Sequence, residues 1–315
     1  MNPELEPTIL EVSHLSKAYG EVQAVADLSF SVRSGEIFGF LGPNGAGKTT
    51  TIKMMCGLLR PDRGSVTIKG SALRKGGWKG SRRIGVCPQH IVIWETMTCM
   101  EQLEFMGRMY DVEAKRARRK AEELLEVFGL VQKKKKLART LSGGMQRRLN
   151  IALALVHEPE ILFLDEPQAG LDPQSRVLVR DYVKSLAGAM TVVLTTHDME
   201  EAEKLSDRVC IIDGGKLLVV DTVENIKNQL GQGDFFEIEL AGNQGRELLA
   251  SLPGGTERFR LQGQTLQLIS HDAVTLLPQV LQAIKEQGLL LEHLRIRKKN
   301  LEDVFISLTG RGLRQ

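Results

Sequence analysis

The sequence has little cysteine, no long apolar run and almost no net charge, and each absence excludes a class of protein. No run of 18 or more apolar residues occurs, so a transmembrane helix is not expected. The four cysteines form no CxxC pair, which argues against a zinc site or a disulfide framework and favours the reduced thiols of a cytosolic protein. A net charge of +3 is too weak to indicate a dedicated nucleic-acid binder. The acidic residues 1–7 do not resemble a secretory signal.

The order of apolar patterns along the chain indicates its organisation. At 315 residues the length fits roughly two domains. Residues 1–230 alternate short apolar strands with helical patterns, which predicts an α/β domain with a largely parallel central sheet. The predicted strands are Thr8–Val12, Ala24–Val32, Glu36–Leu41, Arg83–Cys87, Ile161–Leu164, Thr191–Thr195 and Arg208–Ile212. A helix is predicted where Ala117, Ala121, Leu124, Leu125 and Phe128 recur at helical spacing.

The remaining residues, 231–315, have a different pattern. Alternating apolar positions predict strands around Phe236–Leu240, Thr265–Ile269 and Leu291–Arg297. A helix with one apolar face is predicted between Val274 and Ile284. We therefore expect a small C-terminal α+β domain. The run Lys133–Lys136 fits a solvated face, or attraction to an anionic membrane surface.

One glycine-rich segment matches the P-loop pattern GxxxxGK[ST]. It consists of Gly42, Pro43, Asn44, Gly45, Ala46, Gly47, Lys48 and Thr49, with Thr50 beside it. A predicted strand precedes it and a predicted helix follows it, as the motif requires. Glycines let the backbone approach phosphate oxygens closely, and a helix N-terminus favours anions. Lys48 would neutralise the β- and γ-phosphates of a nucleotide, and Thr49 would ligate Mg²⁺.

A pair of carboxylates ends the apolar strand Ile161–Leu164. Asp165 is the expected partner of Mg²⁺, and Glu166 is the candidate base that orients or activates the attacking water. Ends of strands are where α/β sheets present groups to ligands. An exposed acidic turn after a core strand is the alternative.

A second segment, Leu141–Arg148, is also suited to phosphate. Ser142 is an N-cap candidate, and Gly143 and Gly144 open a helix. Taken alone, it could simply be a well-capped helix. The segment, however, resembles the signature sequence of ABC-family ATPases, usually written LSGGQ.

Other positions resemble the same family in the same order. Gln89 matches its glutamine loop, Asp172 its aspartate loop and His197 its switch histidine. Tyr19 occupies the place of the aromatic residue that stacks on adenine. The resemblance covers about residues 8–230. It implies a P-loop NTPase of the ABC ATPase type, with a helical subdomain at about residues 90–160.

The resemblance also implies a mechanism. Two copies would bind two ATP molecules head to tail, each held by Lys48 and Thr49 of one copy and by Ser142, Gly143 and Gly144 of the other. Gln89 would contact Mg²⁺ and the attacking water, and His197 would hold the γ-phosphate. Binding of ATP would close the dimer, and hydrolysis would reopen it.

Several residues resemble the ABC-2 export group within this family. They are Met145 in the signature, the run Trp94–Thr98 and the run Asn300–Ile306. Gln168 departs from the residues that many members have after Glu166-Pro167. The resemblance implies an integral membrane permease subunit of about six helices as partner, a second copy of this chain, and a position at the cytoplasmic face of the cell membrane.

Other functions remain as alternatives. An ABC ATPase acting on DNA or ribosomes would carry features that this chain lacks, such as a coiled-coil insertion or a second P-loop, so no nucleic-acid partner is expected. A P-loop kinase or GTPase would not need Leu141–Gly144. An importer motor is a further alternative. Apolar residues between His90 and Thr98 would either pack inside the helical subdomain or form an exposed groove for a helix of the permease.

Overall fold

The computed structural model describes residues 7–73, 82–230, 234–241, 259–262, 265–270 and 273–310. They form two compact units, the first ending at Val223 and the second beginning at Glu224. The domain boundary that we predicted at residue 230 stays a prediction. Within the described ranges, no helix is both long and apolar enough to cross a bilayer.

The first unit alternates strands and helices, as the sequence predicts. In chain order its elements are β1 (Thr8–Tyr19), β2 (Val22–Arg33), β3 (Ile37–Leu41), α1 (Lys48–Met55), β4 (Arg63–Ile68), β5 (Ser71–Ala72), β6 (Ile84–Cys87), α2 (Cys99–Met109), α3 (Ala114–Val127), α4 (Gly143–Leu155), β7 (Ile161–Asp165), α5 (Pro173–Ser185), β8 (Thr191–Thr196), α6 (Met199–Leu205), β9 (Arg208–Asp213) and β10 (Lys216–Thr222).

The central sheet has the strand order β10-β9-β3-β8-β7-β6. Strands β9, β3, β8, β7 and β6 are parallel, and β10 pairs antiparallel with β9. Every residue of β3, β7 and β8 is buried, which explains their nearly continuous apolar sequences. The predicted largely parallel α/β sheet is confirmed.

The two faces of this sheet pack in different cores because side chains alternate along each strand. Phe38 and Phe40 of β3 pack with residues of β1, β2, β4 and α1. Ile37, on the opposite face, packs with residues of α2, α3, α4 and α5. The first core includes a second, antiparallel sheet of order β2-β1-β4-β5, which the sequence did not lead us to expect.

Helices α2, α3 and α4 fall within the range predicted for a helical subdomain. Thr98 and Glu101 form a capping box that begins α2. The buried residues of α3 are Ala117, Ala121, Leu124 and Leu125, so the predicted helical face is confirmed. The assignment of residues 90–160 as a helical subdomain stays a prediction.

The second unit is also mixed. Its elements are α7 (Val223–Asn228), β11 (Asp234–Leu240), β12 (Phe259–Gln262), β13 (Thr265–Ser270), α8 (Ala273–Glu286), β14 (Leu291–Arg297) and α9 (Leu301–Thr309). The strands form an antiparallel sheet of order β12-β13-β11-β14. Val280 and Ile284 of α8 pack with Ile238 and Leu266 of the sheet. The three strands and the helix expected here are therefore present.

Candidate functional site

The glycine-rich loop lies between β3 and α1, where two of its glycines leave no room for a side chain. A Cβ on Gly47, whose φ is +99°, would lie 2.3 Å from the carbonyl oxygen of Ala24 in β2. A Cβ on Gly42 would lie 2.3 Å from the carbonyl oxygen of Ile212 in β9. Around Gly45, whose φ is +81°, the space is open. The loop is thus packed against strands at both ends and open at its middle.

The other predicted loop residues follow the same path. Pro43, Asn44 and Ala46 lie in the connection itself, and Thr49 and Thr50 lie in the first turn of α1. The first N–H groups of a helix have no acceptor within the helix, and they carry the positive end of its dipole. A phosphate group fits this end of α1.

Lys48 is buried and folds back over the loop that precedes it. Its Nζ donates to the carbonyl oxygens of Gly42 (2.7 Å) and Pro43 (3.0 Å) and lies 3.8 Å from Glu166 Oε1. Burial lowers the pKa of this ammonium, while the carboxylates of Glu166 and Asp165 oppose that shift. Carbonyl oxygens therefore solvate a charge that has little contact with water.

Two hydroxyl groups lie against Asp165 at the end of β7. Oδ1 of Asp165 accepts hydrogen bonds from Thr195 Oγ1 (2.6 Å) and Thr49 Oγ1 (3.3 Å). Mg²⁺ prefers oxygen ligands and is commonly held by one or two protein groups together with phosphates. No cluster of three or more His, Cys, Asp or Glu that could hold a metal occurs in the described ranges. Asp165 and Thr49 thus fit a Mg²⁺ that also binds phosphate.

Glu166 and His197 form a pair beside this carboxylate. His197 Nδ1 lies 2.9 and 3.0 Å from the two carboxylate oxygens of Glu166. Glu166 is buried, whereas the His197 side chain is about half exposed. The φ of Glu166 is +49°, a left-handed value that residues other than glycine rarely adopt. Its N–H donates to Thr195 Oγ1 at 3.0 Å.

Gln89 lies at the same edge of the sheet, in the loop after β6, because β6 and β7 are parallel neighbours. Its side chain is exposed. Its backbone carbonyl accepts a hydrogen bond from Arg147 Nη1 at 3.0 Å. In the described structure no hydrogen bond links the Gln89 side chain to Asp165 or Glu166. Arg147 is buried but is not among the predicted site residues, because a charged residue next to Arg148 in a helix gives no sign of burial.

The signature residues form a separate group with Asp172. Ser142 is the N-cap of α4 and accepts a hydrogen bond from Met145 N. A Cβ on Gly144 would lie 3.3 Å from Asp172 Oδ2, whereas the space around Gly143 is open. Asp172 is itself the N-cap of α5, and hydrogen bonds from Ser175 lower the pKa of its carboxyl. Among the described residues, no hydrogen bond connects this group with the P-loop.

Tyr19 lies at the end of β1, opposite Val22 of β2. Its ring is half exposed, and Lys17 Nζ lies 5.9 Å from the ring centroid. Strand β2 also carries Ala24, whose carbonyl borders Gly47. The aromatic ring therefore belongs to the hairpin that flanks the P-loop.

A glycine-rich loop at a helix N-terminus, next to carboxylates at the ends of parallel strands, defines a P-loop nucleotide-binding protein. The profile of the ABC transporter family matches residues 25–169. The chain belongs to this family, as one of its ATP-binding subunits, and its activity is the hydrolysis of ATP.

Similar proteins cover almost the whole chain. The linearmycin resistance ATP-binding protein LnrL of Bacillus subtilis is 38% identical over 97% of this chain and 100% of its own length. The daunorubicin resistance ATP-binding protein DrrA3 of Streptomyces coeruleorubidus is 39% identical over 96% of each chain. The Nod factor export ATP-binding protein I of Ralstonia nicotianae is 39% identical over 97% of this chain and 95% of its own.

A solved structure of an ATP-binding subunit of an ABC transporter aligns with a TM-score of 0.66 at 31% identity, over 71% of this chain and 94% of that one. A second, an ATP-binding cassette of an ABC transporter in its ADP conformation, aligns with a TM-score of 0.63 at 25% identity, over 72% and 96%. The family and fold predicted from the motifs are thus confirmed.

Proposed function

We propose that the chain is the ATP-driven motor of an exporter, working at the cytoplasmic face of the membrane with a separate ABC-2-type permease. The observation that carries the proposal is that one chain presents two separate helix N-termini, each with an open glycine and suited to phosphate. The P-loop, Asp165, Glu166 and His197 would form one half of a nucleotide site, and Ser142 to Gly144 with Asp172 would form the other. The names of three relatives, which refer to drug resistance or Nod factor export, support the direction of transport.

In this proposal the P-loop and Tyr19 bind ATP. The ammonium of Lys48 exchanges the carbonyl oxygens of Gly42 and Pro43 for phosphate oxygens. Tyr19 offers its exposed face to the adenine ring. Thr49, Asp165 and Gln89 would hold Mg²⁺, which would supply charge neutralisation at the phosphates.

Glu166 acts as the base, or orients the water that attacks the γ-phosphate. Its carboxylate is held between Lys48 and His197. His197 is exposed enough to exchange its contact with Glu166 for one with the γ-phosphate. Opening of that pair would leave the carboxylate free to accept the proton of the water.

The signature half would complete the site of a second copy. Ser142 and Gly143 are exposed, and Gly143 has open space around its missing side chain. Phosphate oxygens of the other copy's ATP can therefore approach the N-terminus of α4. A homodimer with two such sites follows, with residues 1–230 as the motor and residues 231–315 as an accessory domain.

An apolar patch on the helical segment would receive the permease. We define the patch as Trp94, Phe105 and Met109, which are between 39% and 46% exposed. The rings of Trp94 and Phe105 meet edge to face, with centroids 5.3 Å apart. Ile91 and Val92 are exposed nearby in sequence, whereas Ile93 packs against the core. A short amphipathic helix of the permease would bury the patch, as in other helix-in-groove contacts.

The experiment uses the full chain, tagged and expressed together with the reading frames on either side of its gene. First, the Glu166→Gln variant is purified with ATP from membranes in mild detergent. Second, the wild-type chain is reconstituted in inside-out vesicles together with the membrane protein that co-purifies. We expect co-purification of a multi-span membrane protein and ATP-dependent accumulation of its substrate, with daunorubicin as the first fluorescent probe. Co-purification of ribosomes or DNA in place of a membrane protein would contradict the proposal.

A further inference from the structure

Arg147 is one of the largest fully buried side chains of the protein and lies behind the candidate site. It belongs to the second turn of α4 and is 2% exposed. A guanidinium group has five N–H donors. Nη1 donates to the carbonyl oxygens of Pro88 (2.5 Å) and Gln89 (3.0 Å). Nη2 donates to the carbonyl oxygens of Asp165 (2.8 Å) and Glu166 (2.8 Å). Nε donates to the carbonyl oxygen of Pro167 at 3.1 Å. All five donors are therefore used.

No carboxylate forms an ion pair with this guanidinium in the described part of the chain. A buried charge is costly unless hydrogen bonds compensate for it, and here backbone carbonyls provide all of the compensation. An apolar side chain of similar volume would fill the same space without that cost, but it would leave the five carbonyl groups that Arg147 binds without this donor. Packing alone does not explain an arginine at this position.

The five carbonyl groups belong to two loops that end neighbouring strands. Pro88 and Gln89 follow β6, and the segment from Asp165 to Pro167 follows β7. The same side chain projects from α4, whose N-terminus carries the signature residue Ser142. One rigid, planar group thus joins three segments that each hold a predicted site residue.

The backbone at Glu166 needs such support. Its left-handed φ of +49° is unfavourable for a residue with a Cβ. Its N–H is held by Thr195 and its carbonyl by Arg147. The direction of the Glu166 carboxylate follows from this backbone conformation, so the two hydrogen bonds fix where the carboxylate lies.

We propose that Arg147 is a positioning residue for ATP hydrolysis. Its guanidinium holds the loops that carry Gln89 and Glu166 in a fixed relation to each other and to the signature end of α4, and it does not touch the nucleotide. This inference rests on the role of Glu166 proposed above and adds a residue on which that role depends.

The test compares two Arg→Lys variants of the full chain. Arg147→Lys keeps the charge, but one ammonium cannot span two loops as a planar guanidinium does. Arg208→Lys is the matched control. The partly buried Arg208 donates to the Glu36 carboxylate and the Ser31 carbonyl at the amino ends of β9 and β3, whereas the P-loop follows the carboxyl end of β3. Steady-state ATP hydrolysis, ATP binding and thermal melting are measured for both.

We expect kcat of Arg147→Lys to fall by about 10²-fold, the loss that a misplacement of about 1 Å produces. ATP binding by the isolated subunit should be unchanged, because the P-loop is intact, and Arg208→Lys should keep the wild-type kcat. Single-turnover hydrolysis then compares Glu166→Gln with the Glu166→Gln, Arg147→Lys double variant. The double variant should lose much less than the product of the two single losses, because both changes act largely on the same carboxylate.

Three results would overturn the assignment. The first is a wild-type kcat in Arg147→Lys, and the second is a single-turnover rate in the double variant that equals the product of the two single losses. The third is a loss of ATP affinity in Arg147→Lys as large as its loss of hydrolysis. If Arg147→Lys melts below the assay temperature, Arg147→Gln takes its place, since its neutral amide still donates to one loop. Failure of both variants to fold would make Arg147 a folding residue. Wild-type turnover in Glu166→Gln would instead refute the proposed role of Glu166.

Discussion

Replacement of Lys48 by methionine tests the phosphate-binding role of the P-loop quantitatively. Methionine keeps an unbranched side chain of similar length and removes the charge. In the wild type, binding of ATP moves the ammonium from two carbonyl oxygens to phosphate oxygens. An ammonium about 4 Å from a phosphate charge gains about 4 kcal/mol at an effective dielectric constant of 20. Leaving the two hydrogen bonds from this charged donor to carbonyl groups costs about 3 kcal/mol, at about 1.5 kcal/mol each.

The difference of about 1 kcal/mol corresponds to a dissociation constant about 5-fold higher for Lys48→Met. Isothermal titration calorimetry with Mg-ATP measures it, and Lys53→Met, an exposed position in the last turn of α1, is the control. Without nucleotide the melting temperature should change little, because removal of a buried charge offsets the lost hydrogen bonds. Equal affinity in Lys48→Met and wild type, or an equal loss in Lys53→Met, would refute the reasoning.

Further predictions concern catalysis, dimer closure and docking. Glu166→Gln should keep ATP binding, and its rate of hydrolysis should fall by at least about 10²-fold, which is the usual contribution of a general base. A phosphate-release assay measures this rate, and wild-type turnover would contradict the proposed role of Glu166. Gly144→Asp places a carboxylate next to that of Asp172 and at the proposed phosphate approach. ATP binding by the monomer should survive while the ATP-dependent dimer is lost in sedimentation, and normal dimer formation would count against the shared site. Trp94→Ala should weaken co-purification of the permease while the isolated subunit melts nearly as the wild type does. A loss of about 3–5 kcal/mol, typical of a fully buried tryptophan, would instead make Trp94 a core residue.

Continuous apolar strands and the motifs at their ends could be predicted from the sequence. Strands β3, β7 and β8 are buried on both faces, so their composition alone identifies them. Strand β1 is longer than the predicted Thr8–Val12. Its second half was not predicted because it pairs with β2 through shifts in register. In this region His14 of β1 and Asp27 of β2 have positive φ values. Such irregular pairing removes the alternation on which a prediction depends.

Strands β4 and β10 were missed for a related reason. Only Val66 and Ile68 of β4 are buried, and no residue of β10 is. Strand β4 has too few buried positions to show an alternating pattern, and β10, although it contains four apolar residues, shows no alternation of buried and exposed positions. Neither sequence therefore has the period of a half-buried strand. Within the candidate site, Arg147 escaped notice because its partners are carbonyl groups, which are the same in every sequence. Motifs identify residues by side chain, so a residue that acts on backbone atoms is not visible in them.

The left-handed backbone at Glu166 lowers the stability of the fold at the position that carries the proposed base. Glycine would adopt that conformation without a steric penalty, so a chain selected for stability alone would carry glycine there. Glutamate costs about 1–2 kcal/mol in this conformation, and Glu166 combines that cost with the carboxylate proposed as the base. If that proposal holds, a redesign for stability alone would place glycine at position 166 and remove the activity.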